Sequence, residues 1–290
     1  MFLGCLIATS VGGTAGCGKK APSTDPAGSA SVAGKQPPPP RASVSAPPAY
    51  TGPVGRVEGR VVLKGDPPPD LPFRGTPGPK CPKAAELSAK LFRVGADGGL
   101  ADAVVGVTEY VGSPPLPVEP VVVQIQDCVF HQRTYTASKS QDLEVYNRDP
   151  ESYLPHLNGS RAAALNVAVP GTRTPLHTRG PGRYILSDDL KHDWMQADVY
   201  VFAYRTHTVS KADGRFVIEG IPAGKSKLSV VHPSFGRTVE QAIEIKAGET
   251  LSVDVEMPFD KSKDYRPPAS ATASGAASAK GRPPAPKVVP

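Results

Sequence analysis

Short runs of β-branched and aromatic residues alternate with polar ones along the middle of the chain. Val57-Glu58-Gly59-Arg60-Val61 puts Val57 and Val61 on one side, and Phe216-Val217-Ile218 does the same for Phe216 and Ile218. Successive side chains of a strand point to opposite faces, so this period of two predicts half-buried β-strands. Comparable runs lie at Leu91–Val94, Ala103–Val107, Pro120–Ile125, Leu143–Tyr146, Ala163–Val169, Tyr184–Leu186 and Ala197–Tyr204. Others follow at Lys227–Val231, Val239–Ile245 and Leu251–Val255. About a dozen such runs, bounded by Gly, Pro, Asn and Asp, predict an all-β protein built of sandwiches. Ala84–Lys90 alone reads as a short helix.

The two ends break the pattern. Residues 18–52 are rich in Ala, Pro, Ser and Gly and hold Pro37 to Pro40 in a row; residues 258–290 have the same character. Such segments cannot bury a core, so the first reads as an extended tether and the second as a disordered tail. Of the 34 prolines among 290 residues, eight lie in residues 1–52 and seven in residues 258–290. The formal net charge of +6 also comes from the ends, and the 205 residues between are close to neutral. The pI of 9.1 therefore does not mark a folded basic surface, and nucleic acid is not an expected partner. A middle of this size accommodates one large domain or two small ones.

Residues 1–17 read as a processing segment. A mostly apolar run from Phe2 to Gly13 leads into Thr14-Ala15-Gly16-Cys17. This resembles the lipobox of bacterial lipoproteins, in which small residues precede a Cys that is lipidated and becomes the new N-terminus. Thr14 stands where Leu is usual, and no Lys or Arg precedes the run, so a cleaved or truncated signal without lipid is the other reading. The run is too short to span a bilayer. Gly18 rather than Asp follows Cys17, which in that resemblance implies sorting to the outer membrane. The expected location is the bacterial cell envelope, anchored by lipid and facing the periplasm or the cell surface. With Cys5 in the signal and Cys17 as the lipid site, Cys81 and Cys128 remain. In an exported domain these are expected to form a disulfide, the alternative being two buried thiols.

Residues 100–205 carry a second resemblance. Cys128-Val-Phe-His131 is followed by Leu143-Glu-Val-Tyr-Asn147-Arg-Asp149 and then His156. Gly182-Arg-Tyr184 leads on to Asp188-Asp189-Leu-Lys-His192-Asp-Trp194-Met195. This looks like the plastocyanin-like cupredoxins, in the subtype labelled methylamine-utilisation protein. The resemblance implies a Greek-key β-sandwich with His156 as first copper ligand, His192 as second and Met195 as axial ligand. Three residues before His192, where that family has its thiolate, stands Asp189. A blue copper site is His₂Cys with a weak axial Met, so a blue electron-transfer centre is not expected. Two imidazoles and a carboxylate still suit Cu(II) or Zn(II). The readings are therefore a scaffold that has lost its metal, and a copper or zinc site at His156, His192, Met195 and Asp189.

Residues 205–257 are similar to the carboxypeptidase regulatory-like domains. The similarity rests on Asp213-Gly214-Arg-Phe216, the strand after it, and Pro222-Ala-Gly224. It implies a small β-sandwich without peptidase chemistry. The run Gly55–Val61 resembles the opening strand of such domains and fits either module. The organisation is then a signal peptide with lipobox at 1–17, a linker at 18–52 and a cupredoxin-like domain at 53–204. A carboxypeptidase regulatory-like sandwich at 205–257 and a disordered tail at 258–290 complete it. No Gly-x-Ser-x-Gly, His-Glu-x-x-His or phosphate loop occurs, so no catalytic residue is assigned. His131, His177, His207 and His232 are scattered and read as surface or turn residues. The expected function is a non-enzymatic, lipid-anchored binding or interaction protein with an envelope protein or glycan as partner. The alternative is metal handling, with electron transfer through a non-blue site.

Overall fold

The computed structural model describes residues 50–73, 75–139, 141–158, 166–190 and 192–265. In chain order the strands begin with β1 (Val54–Gly65), β2 (Val104–Thr108), β3 (Val121–Gln126), β4 (Val129–Phe130) and β5 (Thr134–Ser138). Next come β6 (Leu143–Asn147), β7 (Pro155–Asn158), β8 (Arg173–Leu176), β9 (Gly182–Asp188) and β10 (Gln196–Phe202). The last are β11 (His207–Val209), β12 (Arg215–Pro222), β13 (Gly224–Val231), β14 (Thr238–Ile245), β15 (Thr250–Ser252) and β16 (Val255–Phe259). Helices are limited to α1 (Ala84–Leu87) and α2 (Lys261–Asp264) among the described residues.

Four four-stranded sheets enclose two apolar cores. The first sandwich pairs the sheet β4-β3-β6-β8 with the sheet β5-β10-β9-β7. Its core is the apolar half of each alternation: Val123 and Ile125 of β3, Leu143 and Val145 of β6, Leu186 of β9, and Val199 and Val201 of β10. The second pairs the sheet β11-β2-β13-β14 with one centred on β1, which is flanked by β12, β15 and β16. There Val57 and Val61 face Phe216, Ile218, Val105, Val107, Leu228 and Val230 in one cluster. Burial of one side chain of this kind contributes about 1.5–3 kcal/mol, so each alternation acts as a register lock.

The strand partners correct the expected domain boundaries. β1 runs antiparallel to β12 from Val54 to Arg60 and parallel to β15 and β16. β2 is paired on both sides, to β11 and to β13. The regulatory-like sandwich is therefore discontinuous, built from residues 54–65, 104–108 and 207–259, and the cupredoxin-like sandwich is inserted between β2 and β11. The division at 204/205 fails because β1 and β2 have their apolar partners beyond residue 206. The tail is corrected too. Met257 and Phe259 of β16 are buried, and Asp260 caps α2 by accepting from the Ser262 N–H at 3.0 Å. Arg237 holds Asp264 of that helix with bonds of 2.6 and 2.9 Å. Leu91–Val94 supplies only an isolated bridge, from Val94 to Leu100. The signal segment with Cys17, linker residues 18–49 and residues 266–290 lie outside the described residues.

Two glycines are required by close approach. A Cβ on Gly59 of β1 would sit 1.7 Å from the Val253 carbonyl oxygen. Gly214, in the Asp213-Gly214 turn, has φ +79°, and its Cβ would meet the Val61 oxygen at 2.4 Å.

The two sandwiches meet along a seam. Val104, Tyr200 and Phe202 form a small buried cluster there, with Tyr204 and Val231 against it. Asp102, which has φ +65° and is 2% exposed, accepts a two-pronged bond from Arg93 (2.8 and 2.9 Å) and one from the Arg133 backbone N–H (3.0 Å). A charge buried this deeply is tolerable only with its partners in place.

Candidate functional site

The residues singled out by the cupredoxin resemblance sit at one end of the first sandwich. Asn147, at the end of β6, is fully buried and donates to the carbonyls of Glu151 (2.6 Å) and Ala168 (2.9 Å). Its own carbonyl accepts from the Asp149 N–H at 2.9 Å. The Asp149 carboxylate then accepts from the N–H groups of Asp127 (2.9 Å) and Cys128 (2.8 Å) and from the Tyr153 hydroxyl (2.8 Å). Burial, followed by that bond to Asp149, pushes the Tyr153 hydroxyl well above its usual range. The Asn147-x-Asp149 element is thus wiring between turns.

What it wires is a strained turn. Asp127 and Cys128, the two loop residues between β3 and β4, have φ +56° and +59°. A two-residue hairpin of this type normally takes Asn-Gly or Gly-Gly, because both central residues need positive φ. Here charge-assisted bonds from Asp149 and a covalent link hold it instead. Cys128 is joined to Cys81, with the Cα atoms 5.5 Å apart. The Trp194 indole N–H donates to the Cys128 carbonyl at 2.8 Å.

The four proposed metal donors fall into separate arrangements. Asp188, whose side chain is wholly buried, accepts from the N–H groups of Leu154 (2.6 Å) and Leu190 (3.1 Å). It also holds His192 Nδ1 at 2.6 Å. His192 lies between the rings of Tyr153 and Trp194, at 5.4 and 5.1 Å. Asp189 pairs instead with His156 Nδ1 at 3.4 Å, and both are partly exposed. Met195 is 1% exposed and belongs to the core of the sandwich. Among the described residues, no three His, Cys, Asp or Glu side chains are gathered as a metal site needs.

The copper that the cupredoxin resemblance implies does not fit these residues. Its thiolate position is a carboxylate, and both described cysteines are bonded to each other. The expectation of a site at His156, His192, Met195 and Asp189 is corrected accordingly. The physical reason is Asp188, whose buried carboxylate holds the Leu154 and Leu190 N–H groups and His192 Nδ1 from inside.

Residues 194–258 match the carboxypeptidase regulatory-like domain family. That span includes β10, which pairs in the cupredoxin-like sheet, and omits β1 and β2, which complete the regulatory-like sandwich. A search of curated proteins returns no match. Among solved structures, the copper-containing nitrite reductase of Thermus scotoductus is 18% identical with a TM-score of 0.25. The alignment covers 33% of this chain and 24% of that one, so this chain spans about a quarter of the enzyme's length. Amicyanin from Paracoccus versutus is 13% identical with a TM-score of 0.24, covering 33% of this chain and 97% of amicyanin. The chain is nearly all β, with weak likeness to cupredoxins over about a third of its length.

Several residues escaped sequence reading. His232 is buried and His207 is half-buried on β11, which corrects their reading as surface or turn residues. His207 Nε2 lies 3.0 Å from the Ser138 hydroxyl across the seam, and its Nδ1 has no partner among the described residues. Ser138 is 0% exposed. His232 Nε2 faces the Ala101 carbonyl at 3.2 Å, and its ring stacks on Phe235 at 4.8 Å. Burial pushes both imidazoles down to about 4. Asp102 was visible in principle, as a lone charge inside the apolar run Leu100–Val107. Beside the seam a cleft of about 350 Å³ opens to solvent, lined on one side by Phe73 and Trp194, whose rings are in contact at 5.1 Å. Among the described residues, no helix is long and apolar enough to cross a membrane.

Proposed function

We propose that this chain is a non-enzymatic binding protein of the bacterial cell envelope, anchored through lipid on Cys17. In this reading a cupredoxin-like sandwich without a copper centre is held inside a regulatory-like sandwich. The observation that carries it is the Cys81–Cys128 bridge. A disulfide of this kind persists in oxidising compartments outside the cytoplasm, which supports export. It also consumes the thiols that a blue copper site would need.

Membrane fractionation and mass spectrometry of the mature N-terminus test the anchor. Wild-type protein is expected with the membranes, lipidated on Cys17, and Cys17→Ser protein in the soluble fraction. A soluble wild type, or a mature N-terminus elsewhere, would overturn it. Titration with Cu(II) tests the other half. An intense thiolate-to-copper absorption band would refute the loss of the centre.

A further inference from the structure

The cleft at the seam has walls of a particular kind. One is the Phe73–Trp194 aromatic pair. Around it stand Arg133, Asp193, Gln196 and Ser88, with Asp198, whose carboxylate is held by Arg183 at 2.9 Å, and Ser234, whose hydroxyl donates to the Leu91 carbonyl at 3.1 Å. Arg133 reaches the carbonyls of Lys90 and Leu87, the latter at 2.7 Å, and has no carboxylate partner among the described salt bridges. The side chains of Asp193, Gln196 and Ser88 make no hydrogen bond among the described residues. Asp193 and Gln196 are exposed at its rim.

We propose that this cleft binds a sugar residue, a neutral ring with an apolar C–H face and several hydroxyl groups. The proposal deepens the binding-protein reading above and rests on it. Charge narrows the choice. An anion that reached Arg133 would also face Asp193, and a cation drawn to Asp193 would face Arg133. A wholly apolar ligand would offer no partner to the unbonded side chains of Asp193, Gln196 and Ser88. Neutral hydroxyls both donate and accept, so one ring satisfies the guanidinium, the carboxylate, the amide and the Ser88 hydroxyl together. Trp194 and Phe73 offer the flat apolar surface for its other face.

Topology disfavours a peptide. The cleft-lining residues Ile185, Gln196 and Asp198 lie on β9 and β10. Both strands are interior, in the order β5-β10-β9-β7, so their backbone groups are spent and no edge is free for strand addition. Recognition there rests on side chains. The size suits a small ligand, being near the lower end of known ligand pockets.

Trp194 is the chain's one tryptophan, so its fluorescence reports on this wall alone. The full chain is titrated with glucose, N-acetylglucosamine and their disaccharides, by fluorescence and by calorimetry. A saturable shift of Trp194 emission is expected with at least one of them. Gln196→Ala and Asp193→Asn should each weaken it roughly three- to tenfold, one hydrogen bond's share, without changing the melting temperature. No saturable response to any saccharide, or a response that both variants leave intact, overturns the proposal. A shift with benzoate or a short peptide and none with sugars also overturns it, while leaving the binding-protein reading standing. That reading fails separately, by the fractionation result.

Discussion

Acid should loosen the seam through two histidines. His207 and His232 each have a pKa of about 4 in the folded chain, against 6.5 for the free side chain, because burial disfavours their charged form. A depressed pKa means that the unfolded chain binds the proton first. The neutral-imidazole contribution is therefore fully present above about pH 6.5 and is lost as pH falls toward 4. At about pH 4.5 the unfolded state gains about 2.5 kcal/mol per histidine relative to neutral pH, or about 5 kcal/mol for both. That is a large part of a typical domain's stability. The groups acting on His232 after burial are Asp102, which favours its charge, and Arg133 and Arg93, which oppose it. The assay is urea denaturation from about pH 7.5 to about pH 4.5, on wild type and on a His207→Leu, His232→Phe double variant. Leu leaves the Ser138 hydroxyl its bond to the Tyr204 carbonyl at 3.3 Å, and Phe keeps the stack on Phe235. The variant starts less stable but should lose about 5 kcal/mol less on acidification, the carboxylates common to both proteins cancelling. Equal losses in the two proteins would refute the reasoning.

Two further tests concern the frame. Replacing Cys81 and Cys128 by Ser opens a loop with a sequence separation of 47, which should cost about 4 kcal/mol on the chain-entropy account; an unchanged urea midpoint would argue against it. Gly59→Ala should cost about 3 kcal/mol or more, because the new methyl would drive into the Val253 carbonyl. A near-neutral result there would mean that β1 and the 253 turn lie farther apart than described.

Much of the fold was legible because alternation is local. β3, β6, β12 and β13 each declare their buried face within five to eight residues. What alternation does not encode is the partner. Val57 and Val61 require an apolar face but do not say whose, and their true partners lie more than 150 residues away at Phe216 and Ile218. The site suffered from a similar ambiguity. Asp188 and Asp189 are adjacent and chemically identical, yet one is sealed inside and the other faces water. Strand parity decides which, and β9 ends at Asp188 in phase with buried Leu186. His232 was hidden for the opposite reason: a Pro-Ser-Phe-Gly sequence follows it, so it read as a turn, and the turn folds back over Phe92 and Phe235.

The parallel alignment of β1 with β16 has a mechanical side. The chain enters at the start of β1 and leaves β16 at its far end, with Val61 opposite Val255 and Gly65 opposite Phe259. Tension applied between residues 54 and 259 pulls these neighbouring strands along their length in opposite senses. All the rungs between them then bear load together instead of opening one at a time. The inserted sandwich is joined through β2 and β11, which are neighbours in a different sheet, and through the Cys81–Cys128 bridge to the segment between β1 and β2. It hangs beside the line of force, so a tug on the ends would be carried by the host while the cleft, Trp194 and the disulfide turn stay slack.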